Sequence, residues 1–245
     1  MKRLFAIPMF LFAVACGDTG GPNSLANVQV SFATQRPSGV VAQAVGLLVD
    51  TLFEGTDTLV LTKAEIVLRE VELKRLDVAD CDTAGDPCEK FEAGPVLVSL
   101  PLGAGAQQQF ALDIPAGTYS EIEFDIHKPD DGDPDDQAFV AAHPAFADIS
   151  IRVEGTYNGA PFVFTTDLNV EQELGLNPSL VITDGGGTTN VTILVDVGTW
   201  FRTGAGALVN PATANKDGAN DGIVKENIKN SVEAYEDDDK DGGRD

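Results

Sequence analysis

Short blocks in which apolar and polar residues alternate predict an all-β fold: an antiparallel β-sandwich of about eight or nine strands with one C-terminal amphipathic helix. Three observations carry that expectation. First, Val28, Val30 and Phe32 share one face of an extended segment. So do Phe110, Leu112 and Ile114; Ile122, Phe124 and Ile126; Ile149, Ile151 and Val153; and Val191, Ile193, Val195 and Val197. Second, Asn158-Gly159 lies between two such runs and supplies the positive-φ pair of a type I′ hairpin. Third, turn-rich stretches separate the runs, at residues 103–106, 128–136 and 185–187.

In chain order, the first segment is not part of that body. Met1-Lys2-Arg3 opens a basic start, residues 4–15 are apolar, and Cys16-Gly17-Asp18 follows. The apolar run is too short to cross a hydrocarbon core of about 30 Å, and Pro8 interrupts it. It has the form of a signal peptide, with Cys16 as the lipidated first residue of the mature chain. Ala13-Val14-Ala15 also reads as an ordinary secretory cleavage site, and Ala13 stands where a lipobox usually has leucine. Both readings export the protein. Gly17 after the cysteine implies onward passage to an outer membrane, on its periplasmic or surface face. The domain expectation is a signal peptide over 1–15, a flexible tether over 16–26, a sandwich over 27–201, a loop and packed helix over 202–236, and an acidic tail over 237–245.

Within the body, residues 59–76 are the hardest to place. Ile66 and Leu68 are in even phase, Val71 and Leu73 in odd phase. A strand with a bulge near Arg69-Glu70 reconciles them. A helix competes, because Glu, Leu, Lys and Arg are good helix formers. The hairpin at Asn158-Gly159 returns with Phe162, Phe164, Leu168 and Val170 on one face. Over 222–236, Val224, Ile228, Val232 and Tyr235 form a helical stripe, with Asn220 or Asp221 as its cap.

Two cysteines remain after Cys16. Cys81 and Cys88 flank a polar, turn-rich loop, and in an oxidising compartment they are expected to form a disulfide. Loss of Lys2 and Arg3 with the signal peptide takes the formal charge from −23 to −25. So acidic a chain is a poor partner for nucleic acid or for anionic lipid surfaces. The membrane contact is then the lipid anchor, and the partner to expect is a protein or a glycan.

The phrase Ile114-Pro115-Ala116-Gly117-Thr118-Tyr119 resembles a turn common in immunoglobulin-like and transthyretin-like bacterial surface domains. The run Leu61-Thr62-Lys63-Ala64-Glu65-Ile66-Val67-Leu68-Arg69-Glu70-Val71 is similar to the long early strand of an uncharacterised β-sandwich domain of bacterial lipoproteins. The resemblance implies a sandwich over roughly Val28 to Val197 and no reaction. A copper-associated periplasmic family has a comparable strand pattern. With only His127 and His143 as histidine ligands, copper is not carried over.

The sequence has no G-x-S-x-G, no H-E-x-x-H and no G-x-x-x-x-G-K loop. The function expected is a non-enzymatic binding or structural role, with no catalytic residue assigned. The alternative is a calcium-assisted module that binds a carbohydrate or a protein. Asp237-x-Asp239-x-Asp241-Gly242 matches the first half of a calcium loop, whose alternate positions supply oxygens before a turn-making glycine. Its twelfth position would fall beyond Asp245. A second half-motif runs from Asp217 to Asp221, but Ala219 stands at a ligand position. Asp131, Asp133 and Asp135 make a third alternating set. No cofactor is demanded; calcium is the one these spacings allow, against solvated acidic loops. Trp200 is the candidate aromatic platform for a glycan, against a role in closing the sandwich's open end.

Overall fold

A computed structural model describes residues 25–35, 50–76, 95–103, 105–130, 132–184, 187–242 and 244. The expected signal peptide, Cys16, and the expected pair Cys81 and Cys88 lie outside them. Two sheets, of four and seven strands, face each other across one apolar core. The smaller sheet contains β1 (Leu25–Thr34), β5 (Gln107–Pro115), β10 (Thr189–Val195) and β11 (Val232–Glu236), in the order β11-β10-β1-β5. The larger has the path β8-β7-β3-β6-β9, built from β3 (Asp57–Arg75), β6 (Gly117–Ile126), β7 (Ile151–Tyr157), β8 (Ala160–Thr166) and β9 (Val170–Ile182). Two short strands, β2 (Asp50–Glu54) and β4 (Val96–Ser99), pair with β3. The first strand starts at Leu25, inside the expected tether.

β3 is the spine of the larger sheet and settles the ambiguous stretch as a strand. Its ladder with β6 shifts between Leu68 and Val71, where the change of phase asked for a bulge at Arg69-Glu70. A second shift lies between Leu61 and Lys63 in the ladder with β7. Together the two shifts keep Leu59 and Leu61, then Ala64, Ile66 and Leu68, then Val71 and Leu73 turned into the core, all at 2% exposure or less. Gly155 lies opposite the second shift, paired with Leu61. A Cβ there would stand 1.9 Å from the Val60 carbonyl oxygen, so the backbones approach closely enough to need glycine.

The hairpin β7–β8 forms as expected, with Asn158 at φ +50° and Gly159 at φ +78°. The turn at Pro115 to Tyr119 is closed by the Tyr119 hydroxyl, which donates to the Pro115 carbonyl at 3.0 Å. One pair breaks the antiparallel pattern: β1 and β10 run parallel. A parallel pair requires a long connection, and here most of the chain lies between the two strands.

The helices differ from expectation. The C-terminal helix is α3 (Asp221–Lys229), nine residues long; α1 (Pro134–Ala142) and the short α2 (Val197–Trp200) precede it. Val224 and Ile228 are buried on α3 as the stripe requires. Val232 and Tyr235 instead belong to β11, which adds to the smaller sheet beside β10. Asn230 ends the helix, its side chain turning back to the Glu226 carbonyl at 2.9 Å. Val232 and Tyr235 are also good strand formers, and pairing with β10 decides between the two patterns. The acidic stretch 128–136 reads as a loop in sequence, but it contains the start of α1. Asp133 caps that helix through the Asp135 N–H at 2.8 Å, and Pro134 opens it.

Candidate metal centre

Strand β11 leads directly into the aspartate loop. The Asp237 N–H donates to the Asn190 carbonyl at 3.1 Å, extending the β10–β11 ladder by one step. The chain then turns, with Lys240 at φ +58° and Gly242 at φ +85°. Such values suit glycine, and Lys240 adopts them within a tight turn. The tail folds back across the outer face of the smaller sheet. The Lys240 ammonium donates to Gln29 Oε1 on β1, and the Tyr235 hydroxyl donates to the Gly242 carbonyl at 2.7 Å. A Cβ on Gly242 would touch Ala33 of β1 and the Ala106 backbone at ordinary contact distance.

That fold-back buries a polar face. Ser31, Asn190, Thr192 and Asp237 are each at 1% exposure or less. Ser31 Oγ donates to Asn190 Oδ1 at 2.6 Å, and Asn190 Nδ2 donates to Thr192 Oγ1 at 3.0 Å and to the Asp237 carbonyl at 2.8 Å. Thr192 Oγ1 donates to Asp237 Oδ2 at 2.8 Å, and the Gly242 N–H reaches the same oxygen at 3.2 Å. The other oxygen, Asp237 Oδ1, is buried and accepts no hydrogen bond from the protein. A buried carboxylate oxygen left in that state is costly. Burial pushes the Asp237 carboxyl above its ordinary range, against the Thr192 and Gly242 hydrogen bonds that pull it down; Asp239 and Asp241 push the same way as burial.

Asp237, Asp239 and Asp241 converge: each offers a carboxylate oxygen within 4.8 Å of the others. Asp239 and Asp241 are exposed, and Asp239 Oδ1 accepts the Asp241 N–H at 3.1 Å. The donor set is all oxygen, which suits a hard cation over the metals that histidine and thiolate select.

The other candidates separate. Asp217 and Asp221 do not form a metal centre. The Asp221 carboxylate is engaged by Lys225 at 2.9 Å, by the Thr166 hydroxyl at 3.4 Å and by the Asp217 N–H at 3.4 Å. Asp217 itself has φ +64° in the turn before α3. This half-motif therefore shapes the start of a helix. In the third set, Asp131 lies outside the described residues, and Asp133 is spent on the α1 cap and on Arg69 at 2.8 Å.

Trp200 is not a platform. It is fully buried, and its indole N–H donates to Ser231 Oγ at 2.8 Å. Phe201 stands edge-on to Phe162 and Phe164, with ring centroids 6.1 and 5.1 Å away. The pair closes the core, and Trp200 has no ring face to offer a sugar. The histidines carry structural contacts: His127 Nε2 lies 3.2 Å from Arg69 Nη1, and His143 caps α1 while packing on Phe139.

One group was not foreseen. Glu123, Glu171 and Glu173 also converge within 4.8 Å, on facing positions of β6 and β9. Their phase in the alternating strands was readable, but the β6–β9 register was not. Lys74 bonds to Glu123 and lies 3.3 Å from Glu121 and 3.9 Å from Glu173, so a protein cation already serves this group. Glu171 is pushed up to about 7, chiefly because it shares a hydrogen bond with Glu123 and feels its charge. A cleft of about 470 Å³ beside the Arg69 bulge is lined by Glu70, Asp125, Asp133, Asp135 and Asp136 with Arg69. Among the described residues no helix is long and apolar enough to cross a membrane. Comparison with protein-family models, with curated proteins and with solved structures gives no match.

Proposed function

We propose that this chain is a lipid-anchored protein of the cell envelope with a non-enzymatic binding or structural role. The observation that carries the reading is the start of the sequence: a basic opening, a short apolar run and Cys16, followed by Gly17 and a Gly-rich leash. Eight residues separate Cys16 from Leu25, where β1 begins. Fully extended they reach roughly 30 Å, enough to hold a folded body just clear of a bilayer surface. A lipidated cysteine carries more than one acyl chain, which suffices for stable anchoring.

The charge suits display from a tether. A strongly acidic body stays soluble and does not adhere to anionic headgroups. The resemblance to lipoprotein sandwich domains points the same way. The partner is an unidentified protein or glycan, and nucleic acid is disfavoured by charge. Support for a non-enzymatic role comes from the histidines, which serve Arg69 and the end of α1.

The test is metabolic labelling with a fatty acid, followed by membrane fractionation. The expected result is label on the wild-type chain, recovered with the outer membrane. Cys16→Ala should carry no label and leave the membrane fraction. An unlabelled wild-type chain released into the soluble fraction would overturn the lipid anchor and leave simple secretion.

A further inference from the structure

The C-terminal loop holds an arrangement that hydrogen bonding within the protein does not complete. Asp237 is wholly buried, yet one of its two carboxylate oxygens has no donor. Two further carboxylates, from Asp239 and Asp241, bring oxygens within 4.8 Å of an Asp237 carboxylate oxygen and of each other. Two oxygens bound to one calcium ion at about 2.4 Å can be no more than about 4.8 Å apart. The separation therefore matches a shared ion.

We propose that residues 237–242 form a calcium-binding loop that clamps the C-terminal tail onto the smaller sheet. The inference is independent of lipidation and concerns the folded body alone.

Four features support it beyond the presence of acids. The spacing is that of a calcium loop: acidic side chains at alternate positions, then a glycine in a conformation that reverses the chain, here Gly242 at φ +85°. The buried acid is fixed in place by Thr192 and by the Gly242 N–H, so one ligand is preorganised before any ion arrives. Lys240, the cation within the loop, is drawn to Gln29 on β1. The rest of the loop is exposed at Asp239 and Asp241, which gives an ion access and leaves room for water ligands.

Calcium fits better than magnesium. Magnesium demands near-ideal octahedral geometry at about 2.0–2.1 Å, whereas calcium accepts six to eight oxygens in looser shells. One fixed carboxylate and two on a short exposed loop is the looser kind of site. With three side-chain ligands and no twelfth-position acid, the dissociation constant belongs with extracellular modules, on the order of 0.1–1 mM. An exported protein meets calcium at such concentrations, and the cytosol does not supply them.

The consequence is mechanical. The loop joins β11, at the edge of the smaller sheet, to the outer faces of β10 and β1. An ion bound there ties strand, tail and sheet together and relieves the repulsion among three carboxylates. Without it, the tail is held by the hydrogen bonds of Lys240, Tyr235 and Asp237 against that repulsion.

The test is calcium titration of the detergent-solubilised full chain, by calorimetry and by terbium luminescence sensitised through Tyr235. Thermal unfolding in calcium and in chelator accompanies it. The expected result is one calcium per chain. Melting should rise by about 5–10 °C at a calcium concentration one hundred times the dissociation constant, and less in magnesium. Asp239→Asn with Asp241→Asn should abolish binding and the shift while leaving the fold intact, since both residues are exposed and asparagine can still accept the Asp241 N–H bond. Asp237→Asn is the stronger lesion but disturbs the buried network, so the exposed pair is the deciding variant. Asp217→Asn and Cys16→Ala should bind calcium as the wild type does. Absence of binding by the folded wild-type chain at 10 mM calcium, or binding that survives in the double variant, would overturn the proposal.

Discussion

Asp237 is the residue on which the chemistry turns, and its burial was not legible in the sequence. The alternating aspartates were, in three sets, and the structure brings Asp237, Asp239 and Asp241 together. What separates that loop from the other two is where the tail goes after β11. The half-motif at Asp217 and Asp221 had comparable spacing, but Lys225 sits one helical turn after Asp221 and takes its carboxylate. Trp200 shows the same limit: a lone tryptophan after a strand is compatible with a platform or a plug, and Ser231 decides by accepting its indole N–H. Trp200→Ala should lower stability by roughly 3–5 kcal/mol, measured by urea unfolding, because it empties a fully buried site. Ser231→Ala should cost about 1–2 kcal/mol through the orphaned indole donor. Gly155→Ala is expected to destabilise by at least about 1–3 kcal/mol, since its Cβ would collide with the Val60 carbonyl opposite the bulge.

At the scale of elements, legibility followed the strength of the local signal. Asn158-Gly159 identified the β7–β8 hairpin from two residues. The bulge at Arg69-Glu70 was legible because the phase of apolar residues changed across it. The bulge near Thr62 leaves the same mark, in the odd phase of Leu59 and Leu61 against Ile66. Helix α1 was signalled by Asp133, Pro134, Asp135 and Asp136 but masked by the acidity of the stretch. β11 was hidden because Val232 and Tyr235 happen to continue the helical spacing of α3, and its pairing with β10 is a long-range fact. Two acidic elements make pH predictions of opposite sign. Lys225 and then Lys216, against burial, hold the Asp167 carboxyl down at about 2. Its folded value is below its unfolded one, so its contribution is present above about pH 4 and lost as pH falls towards 2. Asp167→Asn should cost about 1 kcal/mol at pH 7, allowing for solvent screening, and flatten the acid limb of a melting profile. Glu171, raised to about 7 beside Glu123, behaves oppositely. Its folded form retains a proton that the unfolded form has lost, so its contribution is full below about pH 4.5 and fades as pH rises through 7. Glu171→Gln should therefore raise the melting temperature at pH 8 relative to wild type and have little effect at pH 4.

For the whole molecule, the sandwich was legible from alternation alone, because half-buried strands impose it on every block. The parallel pairing of β1 with β10 was not, since no local pattern records which distant strand lies alongside. That pairing creates the surface on which the tail rests, and so the candidate metal centre is a property of the whole fold. It joins Ser31 near the start of the body, Asn190 and Thr192 late in it, and Asp237 near its end. A chelator should accordingly loosen the body's two ends together. Hydrogen exchange is expected to quicken at the β11 amides and at Gly242 while β3 and β7 stay protected. Exchange unchanged by chelator would count against the clamp.

The most direct measurement is anomalous difference density from crystals grown in millimolar calcium. One ion is expected, bounded by Asp237, Asp239 and Asp241, with Asp237 Oδ1 among its ligands at about 2.3–2.6 Å. Well-ordered density for those three carboxylates with no ion between them would contradict it.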